Sequence, residues 1–488
     1  MLSVLVAHSY FLEFDQKQRA RAKPYPPLAT LQVAAMLRDL GHRVSLFDAM
    51  LAAGPDQYAD QLVASQPQVA LFYEDNYNFL TKMCLGRMRQ AACEMIARAR
   101  LAGARVLVAG SDASDAPEAY LASGAHAVLI GEGLATLRAI VDRLAADPHL
   151  PVAELTAGLA GVALPGTVRK VDPARPAMLP PEPRHPERPA WDLVSIEGYR
   201  AVWDNAHGFF SLNMAASRGC SFRCNWCAKP IWGSQYLQRS PTDVATEMTY
   251  LKRAFRPDHV WFADDIFGFR ADWVEAFAAA VRETDGSIPF TIQTRADLVS
   301  ARMARALRDA GCAEVWIGAE SGSQRVLDAM NKGPRVEDVR PARARLQAEN
   351  IRVGYFIQLG YLHEQLDDIL ATRELIESTQ PDDIGVSVSY PLPGTRFYEM
   401  VKEQLRHKTH WDESNDLDMM FEGTYRSDFY RKVRDLLHEQ VDHAAVHRGQ
   451  RAHGPRQADQ RDLQRRWGRL LAQEHEYRQR PQALRGAI

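Results

Sequence analysis

Twice along this 488-residue chain, short apolar runs alternate with longer amphipathic stretches, and that alternation limits the possible folds more than any other feature. In residues 1–146 the candidate strands are Ser3–His8, Arg43–Asp48, Gln68–Tyr73, Arg105–Gly110 and His126–Gly131, separated by helical patterns such as Leu28–Leu40, Leu80–Ala102 and Leu134–Ala145. Continuously apolar strands joined through helices predict a parallel sheet covered on both faces, a Rossmann-like, doubly wound α/β domain. From about 206 to 400 the pattern returns, with strands Phe210–Ser217, Asp258–Ala263, Phe290–Ala296, Glu314–Ala319, Arg352–Leu359 and Ile384–Tyr390. Helices are predicted over Pro241–Ala254, Ala271–Glu283, Ala301–Ala310, Val336–Glu349 and Leu366–Ser378. Six consecutive units of this kind describe a closed or part-open parallel (β/α)6 barrel. In both architectures ligands gather beyond the carboxyl ends of the strands, so the segments leaving those strands hold the candidate site residues.

Residues 147–205 change character. Pro173, Pro176, Pro180, Pro181, Pro183, Pro186 and Pro189 accumulate there, and fixed φ angles without N–H donors predict a connector with at most a small hairpin around Gly161–Val171. Residues 401–488 read as mainly helical with a polar, Arg-rich end. At about 150 residues per domain the length allows roughly three folded units, and 46% hydrophobic with 25% charged residues is the balance of a globular protein with an ample core. A formal net charge of −2 provides no basic field for nucleic acid or an anionic membrane. No apolar run approaches the ~20 residues of a spanning helix, and Met1–His8 reads as a first buried strand rather than a secretory signal, so a cytoplasmic location is expected. Six cysteines, three of them crowded together, point to a metal or redox site in a reducing compartment rather than a disulfide scaffold.

That crowd is the most informative segment: Arg218-Gly219-Cys220-Ser221-Phe222-Arg223-Cys224-Asn225-Trp226-Cys227, immediately after the first barrel strand. Three thiolates on one tight loop can hold three irons of a cubic [4Fe–4S] cluster, leaving the fourth iron open to an outside ligand, as a catalytic metal site requires. A three-cysteine zinc site, with His207 as a distant fourth ligand, is the competing reading. Unligated core cysteines are a third, disfavoured because Arg223 and Asn225 make the loop polar.

The cysteine spacing, the aromatic residue before the last thiol and the position after the first barrel strand resemble the radical S-adenosylmethionine (SAM) superfamily. The resemblance implies that SAM chelates the open iron, that one electron cleaves its sulfonium, and that the resulting 5′-deoxyadenosyl radical abstracts hydrogen. It places Trp226 beside the adenine and puts further contacts at successive strand ends. Asp264 and Asp265 would receive the amino group through charge-assisted hydrogen bonds. Gln293 and Arg295 follow, the guanidinium suited to hold a carboxylate in a bidentate fork. Glu320 suits the ribose hydroxyls, with Ser321 beside it, and Gln358 ends the fifth strand. After it, Leu362-His363 stands where the family turn usually carries Pro-Gly before an acidic residue, here Glu364. Pro391-Leu392-Pro393-Gly394-Thr395 fits the family as a turn at the substrate mouth.

A doubly wound domain joined through a Pro-rich connector to such a barrel resembles the cobalamin-binding subclass. On that likeness the corrinoid contacts would be His8 at the first strand's tip, Tyr25-Pro26-Pro27 before the first helix, Gly110-Ser111 after the fourth strand and Gly131-Glu132-Gly133 after the fifth. Glycines at strand exits let backbone approach a bulky ring, and helix N-termini suit phosphate. The Asp-x-His-x-x-Gly motif of cobalamin mutases does not follow the first strand, so either cobalt lacks a histidine lower ligand, as is common in the subclass, or the domain no longer binds cobalamin; Asp147-Pro148-His149 lacks the glycine and lies after the domain's last helix.

The resemblance thus implies an enzyme with three cofactors, a [4Fe–4S] cluster, SAM and cobalamin, methylating an unactivated carbon of a small-molecule substrate and reduced by a flavodoxin- or ferredoxin-type donor. Alternatives are an oxidative cyclase or rearrangement enzyme with the same cofactors, like the anaerobic porphyrin-ester cyclase, and a zinc- or cluster-containing corrinoid-binding protein without catalysis. A tRNA methylthiotransferase fits less well, because no nucleic-acid module is evident. Cys84, Cys93 and Cys312 read as structural, and Trp467-Gly468-Arg469-Leu470-Leu471 as part of a solvated terminal helix.

Overall fold

The computed structural model describes residues 1–78, 85–166, 188–227, 236–405, 417–448 and 460–479. Six of the connector prolines, Pro173 to Pro186, and Cys84 lie outside these residues.

The N-terminal sheet contains β1 (Ser3–Ala7), β2 (Arg43–Phe47), β3 (Val69–Tyr73), β4 (Arg105–Ala109) and β5 (Ala127–Leu129), in the order β2-β1-β3-β4-β5 with all pairs parallel. Every residue of β3 is buried, as a strand covered on both faces must be. The strand order reverses between β1 and β3, and that switch point is where a sheet of this kind leaves a ligand crevice. A sixth strand, β6 (Val162–Ala163), adds antiparallel to β5. The anticipated hairpin is therefore an edge strand, and its second half falls outside the described residues.

The connector is more regular than its prolines suggest. Beyond Pro189 the chain forms a helix over Ile196–His207, started by the Ser195 side chain accepting from the Gly198 amide and ended by Gly208 in a left-handed conformation. Its buried face presents Tyr199 and Trp203 to the N-terminal domain: Tyr199 donates to Asp48 (2.7 Å) and the Trp203 indole to the Pro24 carbonyl (2.7 Å). This segment fastens the two sheets together.

The second sheet is wholly parallel, ordered β7-β10-β11-β12-β13-β14: β7 (Ser211–Met214), β10 (His259–Phe262), β11 (Phe290–Thr294), β12 (Cys312–Glu320), β13 (Arg352–Leu359) and β14 (Asp383–Val388). Its two outer strands do not pair with each other, so the six strands make an open half-barrel. Between β7 and β10 in sequence lies a separate small antiparallel ribbon, β8 (Ser217–Arg218) with β9 (Leu237–Gln238). The predicted strand Phe210–Ser217 is thereby broken at Ala215–Ala216, and the cysteine segment leaves from the ribbon rather than from the sheet.

Beyond the half-barrel, the helix Ser427–His447 packs on β14 and on the helix Leu366–Thr379. The helix Gln460–Ala472 is docked on it, not solvated. Leu463, Trp467 and Leu470 are buried, and the Arg373 guanidinium lies 4.6 Å from the Trp467 ring. Three apolar residues at helical spacing bury more favourably against a neighbour than in water. No described helix is long and apolar enough to cross a membrane.

Candidate active site

The site is assembled around Asn225, between the second and third cysteines. Its backbone N–H donates to the Met330 carbonyl (3.0 Å) and its carbonyl accepts from the Phe397 amide (2.8 Å). Its side chain donates to the Ala329 carbonyl (2.7 Å) and accepts from the Tyr361 hydroxyl (2.8 Å). Asn331 adds a bond to the Arg223 carbonyl (2.9 Å). The loop is thus stitched to the segment Ala329–Lys332 and to the turn after β13. Cys220, Cys224 and Cys227 are partly buried on it.

Among the described residues no three His, Cys, Asp or Glu side chains converge as they would around a single metal ion. A cubic cluster asks for less convergence, because each thiolate binds its own iron. The donor set, three sulfurs on one pinned loop, fits such a cluster better than it fits zinc. His207, the distant zinc candidate, instead contacts the carbonyls of Arg21 (3.0 Å) and Ala22 (3.1 Å) in the N-terminal domain.

Several strand-end residues face one another. Asp264 is buried and accepts from the Ala216 amide (3.0 Å) and from the Ser217 hydroxyl, so its carboxyl braces the ribbon beneath the cysteine loop. Burial pushes that carboxyl up to about 7 against those hydrogen bonds. Asp265, next to it, is half-buried. Gln293 donates to the Asp264 carbonyl (2.6 Å), which fixes the turn after β10. Arg295 spends its fork on Asp297 (3.0 Å twice), donates to the Lys332 carbonyl (2.8 Å) and lies 3.5 Å above the Phe222 ring.

Glu320 ends β12 with φ +58° and is ion-paired with Lys332 (2.7 Å). Ser321 is fully buried, its hydroxyl 3.2 Å from that of Thr372 and accepting from the Ser323 amide (3.1 Å). Gln358 is buried with its side-chain oxygen unpartnered among the described residues. The Trp226 indole N–H is likewise buried and unpartnered among them, and the Lys332 ammonium stands 5.8 Å from its ring. Asn225, Lys332 and Tyr361 carry the local geometry yet were not among the sequence candidates. Position relative to the cysteines could have flagged Asn225; nothing local marks the other two.

The N-terminal candidates divide between seam and crevice. Tyr25 pairs its hydroxyl with Ser211 (3.0 Å), the Pro26 carbonyl accepts from Asn213 (3.0 Å), and Pro27 precedes the helix Leu28–Asp39. Tyr25 and Pro26 join the N-terminal domain to β7. His8 is fully buried, with Nε2 2.9 Å from Asp48 and 3.0 Å from the Ala49 amide nitrogen. Burial opposes its charge, but Asp48, Glu74 and Asp75 outweigh it and the imidazole is raised above its ordinary value. Gly110 packs on Glu74, where a Cβ would lie 2.7 Å from Cγ, and Ser111 opens the short helix Ser111–Asp115. Gly131 and Gly133 adopt φ +80° and +68°, and Glu132 between them is ion-paired with Arg218.

The crevice itself is polar. Ser9 donates to Glu74 from both hydroxyl (2.7 Å) and amide (3.2 Å), and Asp75, pushed up to about 6 by burial, accepts from the Ala29 amide (3.0 Å). Asn76 leaves both amide atoms buried and unpartnered among the described residues. Orphaned amide groups at a switch point fit a ligand edged with carboxamides, as a corrinoid is.

Residues 214–376 match the family described as the Radical SAM superfamily. The uncharacterized methyltransferase PH0819 of Pyrococcus horikoshii is 26% identical over 301 residues, which cover 60% of this chain and 61% of that protein. An anaerobic magnesium-protoporphyrin IX monomethyl ester cyclase of Synechocystis is 24% identical over 398 residues, 79% of this chain and 76% of that one. Among solved structures, the radical SAM methyltransferase TsrM of Kitasatospora setae, with cobalamin and a [4Fe–4S] cluster bound, superimposes with TM-score 0.63 at 19% identity, covering 83% of this chain and 75% of its own. The cobalamin-dependent radical enzyme OxsB gives 0.65 at 16% identity, covering 97% and 71%. At these identities the structural likeness is one of fold.

Proposed function

Because residues 214–376 make this chain a member of the radical SAM superfamily, we propose that it is a cobalamin-dependent radical enzyme that methylates an unactivated carbon of a small molecule. One observation carries the reading. The base of the loop bearing Cys220, Cys224 and Cys227 is ion-paired through Arg218 to Glu132 at the exit of β5, which supports a reading in which the cysteine site and the N-terminal domain serve one reaction.

When bound, a cluster with SAM supplies a 5′-deoxyadenosyl radical and cobalamin supplies the methyl group. The chain's own residues then have three tasks. The three thiolates would hold the cluster, and Trp226, Gln358 and Glu320 would line the space for SAM. Asn225, Asp264 and Arg295 fix the loop and strand exits that shape the site. The seam of Tyr25, Pro26 and Trp203 closes the space between the sheets, because a primary carbon radical must be shielded from water and held within about 3–3.5 Å of its target. The electron comes from a flavodoxin- or ferredoxin-type protein in a reducing, cytoplasmic setting.

The test is anaerobic reconstitution with iron, sulfide and cobalamin, followed by reduction with methyl-labelled SAM and candidate small-molecule extracts. Expected are a [4Fe–4S] spectrum, retained corrinoid, 5′-deoxyadenosine and label in a product heavier by one methylene. Absence of 5′-deoxyadenosine from loaded, reduced protein overturns the reading. The Synechocystis likeness, which runs over 79% of the chain, favours a second reading, an oxidative cyclase. That reading wins if the product loses hydrogen or gains solvent oxygen without label.

A further inference from the structure

Lys332 reaches the cysteine site from far along the chain and is buried, although an ammonium rarely is. Its Nζ lies 2.7 Å from Glu320 Oε1. Its carbonyl receives the Arg295 guanidinium (2.8 Å) and stands 4.0 Å from the Cys224 sulfur. The pair is held in a fitted cradle. A Cβ on Gly318 would lie 2.7 Å from the ammonium and 2.8 Å from the carboxylate oxygen, so a larger residue there would displace the ends of both side chains. The Lys332 backbone thus lies against Cys224, its ammonium is within electrostatic reach of that sulfur and carries Glu320 with it, in surroundings from which water is largely excluded.

We propose that the Lys332–Glu320 pair sets the reduction potential of the cluster held by Cys220, Cys224 and Cys227. The inference rests on the proposed function only for the presence of the cluster, not for cobalamin or methyl transfer. Reduction adds one electron from the donor, and the cluster with its three thiolates becomes one unit more negative. A fixed cation alongside favours that product and a fixed anion disfavours it, more strongly in a low-dielectric site than in water. Lys332 thus pulls the potential up while Glu320 pulls it down. The pair trims the driving force for sulfonium cleavage without touching the reacting atoms.

The experiment is an EPR-monitored redox titration of the full chain, reconstituted anaerobically with iron and sulfide, without SAM or corrinoid. Lys332→Met is expected to lower the midpoint and Glu320→Gln to raise it, each by roughly tenfold in the reduction equilibrium, about 59 mV for one electron. Lys332→Arg is expected to stay near the wild type. Opposite signs separate charge from loosened packing, which would move both variants the same way. Equal or same-direction shifts overturn the proposal. If Lys332→Met binds no cluster, Glu320→Gln against Lys332→Arg still decides it. A wild type that assembles no cluster at all counts against the proposed function instead, so the two failures are distinct.

Discussion

The carboxylate of Glu132, just beyond β5, is ion-paired with the guanidinium of Arg218, two residues ahead of Cys220, and both side chains are buried. The Glu132 carbonyl also accepts from the Tyr73 hydroxyl (2.9 Å), which anchors the acidic residue to β3. A charge at the exit of one sheet therefore holds the base of the cysteine loop on the other.

Removing one partner should cost far more than removing both. Arg218→Met or Glu132→Gln takes one member from a buried ion pair and is expected to destabilise by about 3–5 kcal/mol, whereas the double apolar variant recovers much of that loss. Urea unfolding of the three variants, read as a double-mutant cycle, checks this. Equal, additive losses would mean that the pair is not coupled.

Asn225→Ala deletes two buried side-chain hydrogen bonds, while the Tyr361 hydroxyl keeps its bond to the Ala329 carbonyl (3.0 Å). A lost hydrogen bond costs about 0.5–1.5 kcal/mol, but the larger effect should fall on the thiols. Iron bound per chain after reconstitution is expected to drop well below that of the wild type while the far-ultraviolet circular dichroism is unchanged. Full iron loading would show that the cysteines alone define the loop.

Stability should fall as pH rises. Burial pushes the Asp264 carboxyl up to about 7 and that of Glu364, which accepts from the Gly360 amide (2.6 Å), up to about 8. The unfolded values lie near 4, so between about pH 4 and 8 the folded chain binds more protons than the unfolded one. The stability these groups provide is complete below the unfolded values and is lost as pH passes through the folded ones. The urea midpoint is expected to decline from pH 5 to 9, and Asp264→Asn with Glu364→Gln should flatten the slope. A midpoint in the wild type that rises over this range would refute the assignment.

His363 adopts φ +64°, a left-handed conformation, in the turn where the related pattern places Pro-Gly. The turn therefore forms without glycine, at a steric cost of about 1–2 kcal/mol for an L residue. His363→Gly is expected to raise the urea midpoint modestly, because its carbonyl, which accepts from Arg325 (3.0 Å), is backbone and survives the change. A lowered midpoint would mean that the imidazole itself is needed.

Local pattern was enough for the elements and for the cysteines. Apolar runs of about five residues recur between helical stretches, and the strands Arg352–Leu359 and Ala127–Leu129 lie within or match the predicted ranges. Thiols at i, i+4 and i+7 are a local fact that no packing can alter. The connector was less legible. Prolines announce where a helix cannot be, but Ser195 and Gly208 delimit one immediately after them.

What the sequence by itself determined is two strand–helix alternations and one loop of closely spaced thiols, because periodicity and spacing are properties of neighbouring residues. Only the tertiary structure decided which charges meet there. Arg295 turns to Asp297 two residues away, Asp264 points back into the ribbon, and Lys332, 108 positions beyond Cys224, becomes its buried neighbour. The physical reason is that a charge leaving water goes to the partner that compensates its desolvation best, and folding fixes which partners, near or distant in sequence, are within reach.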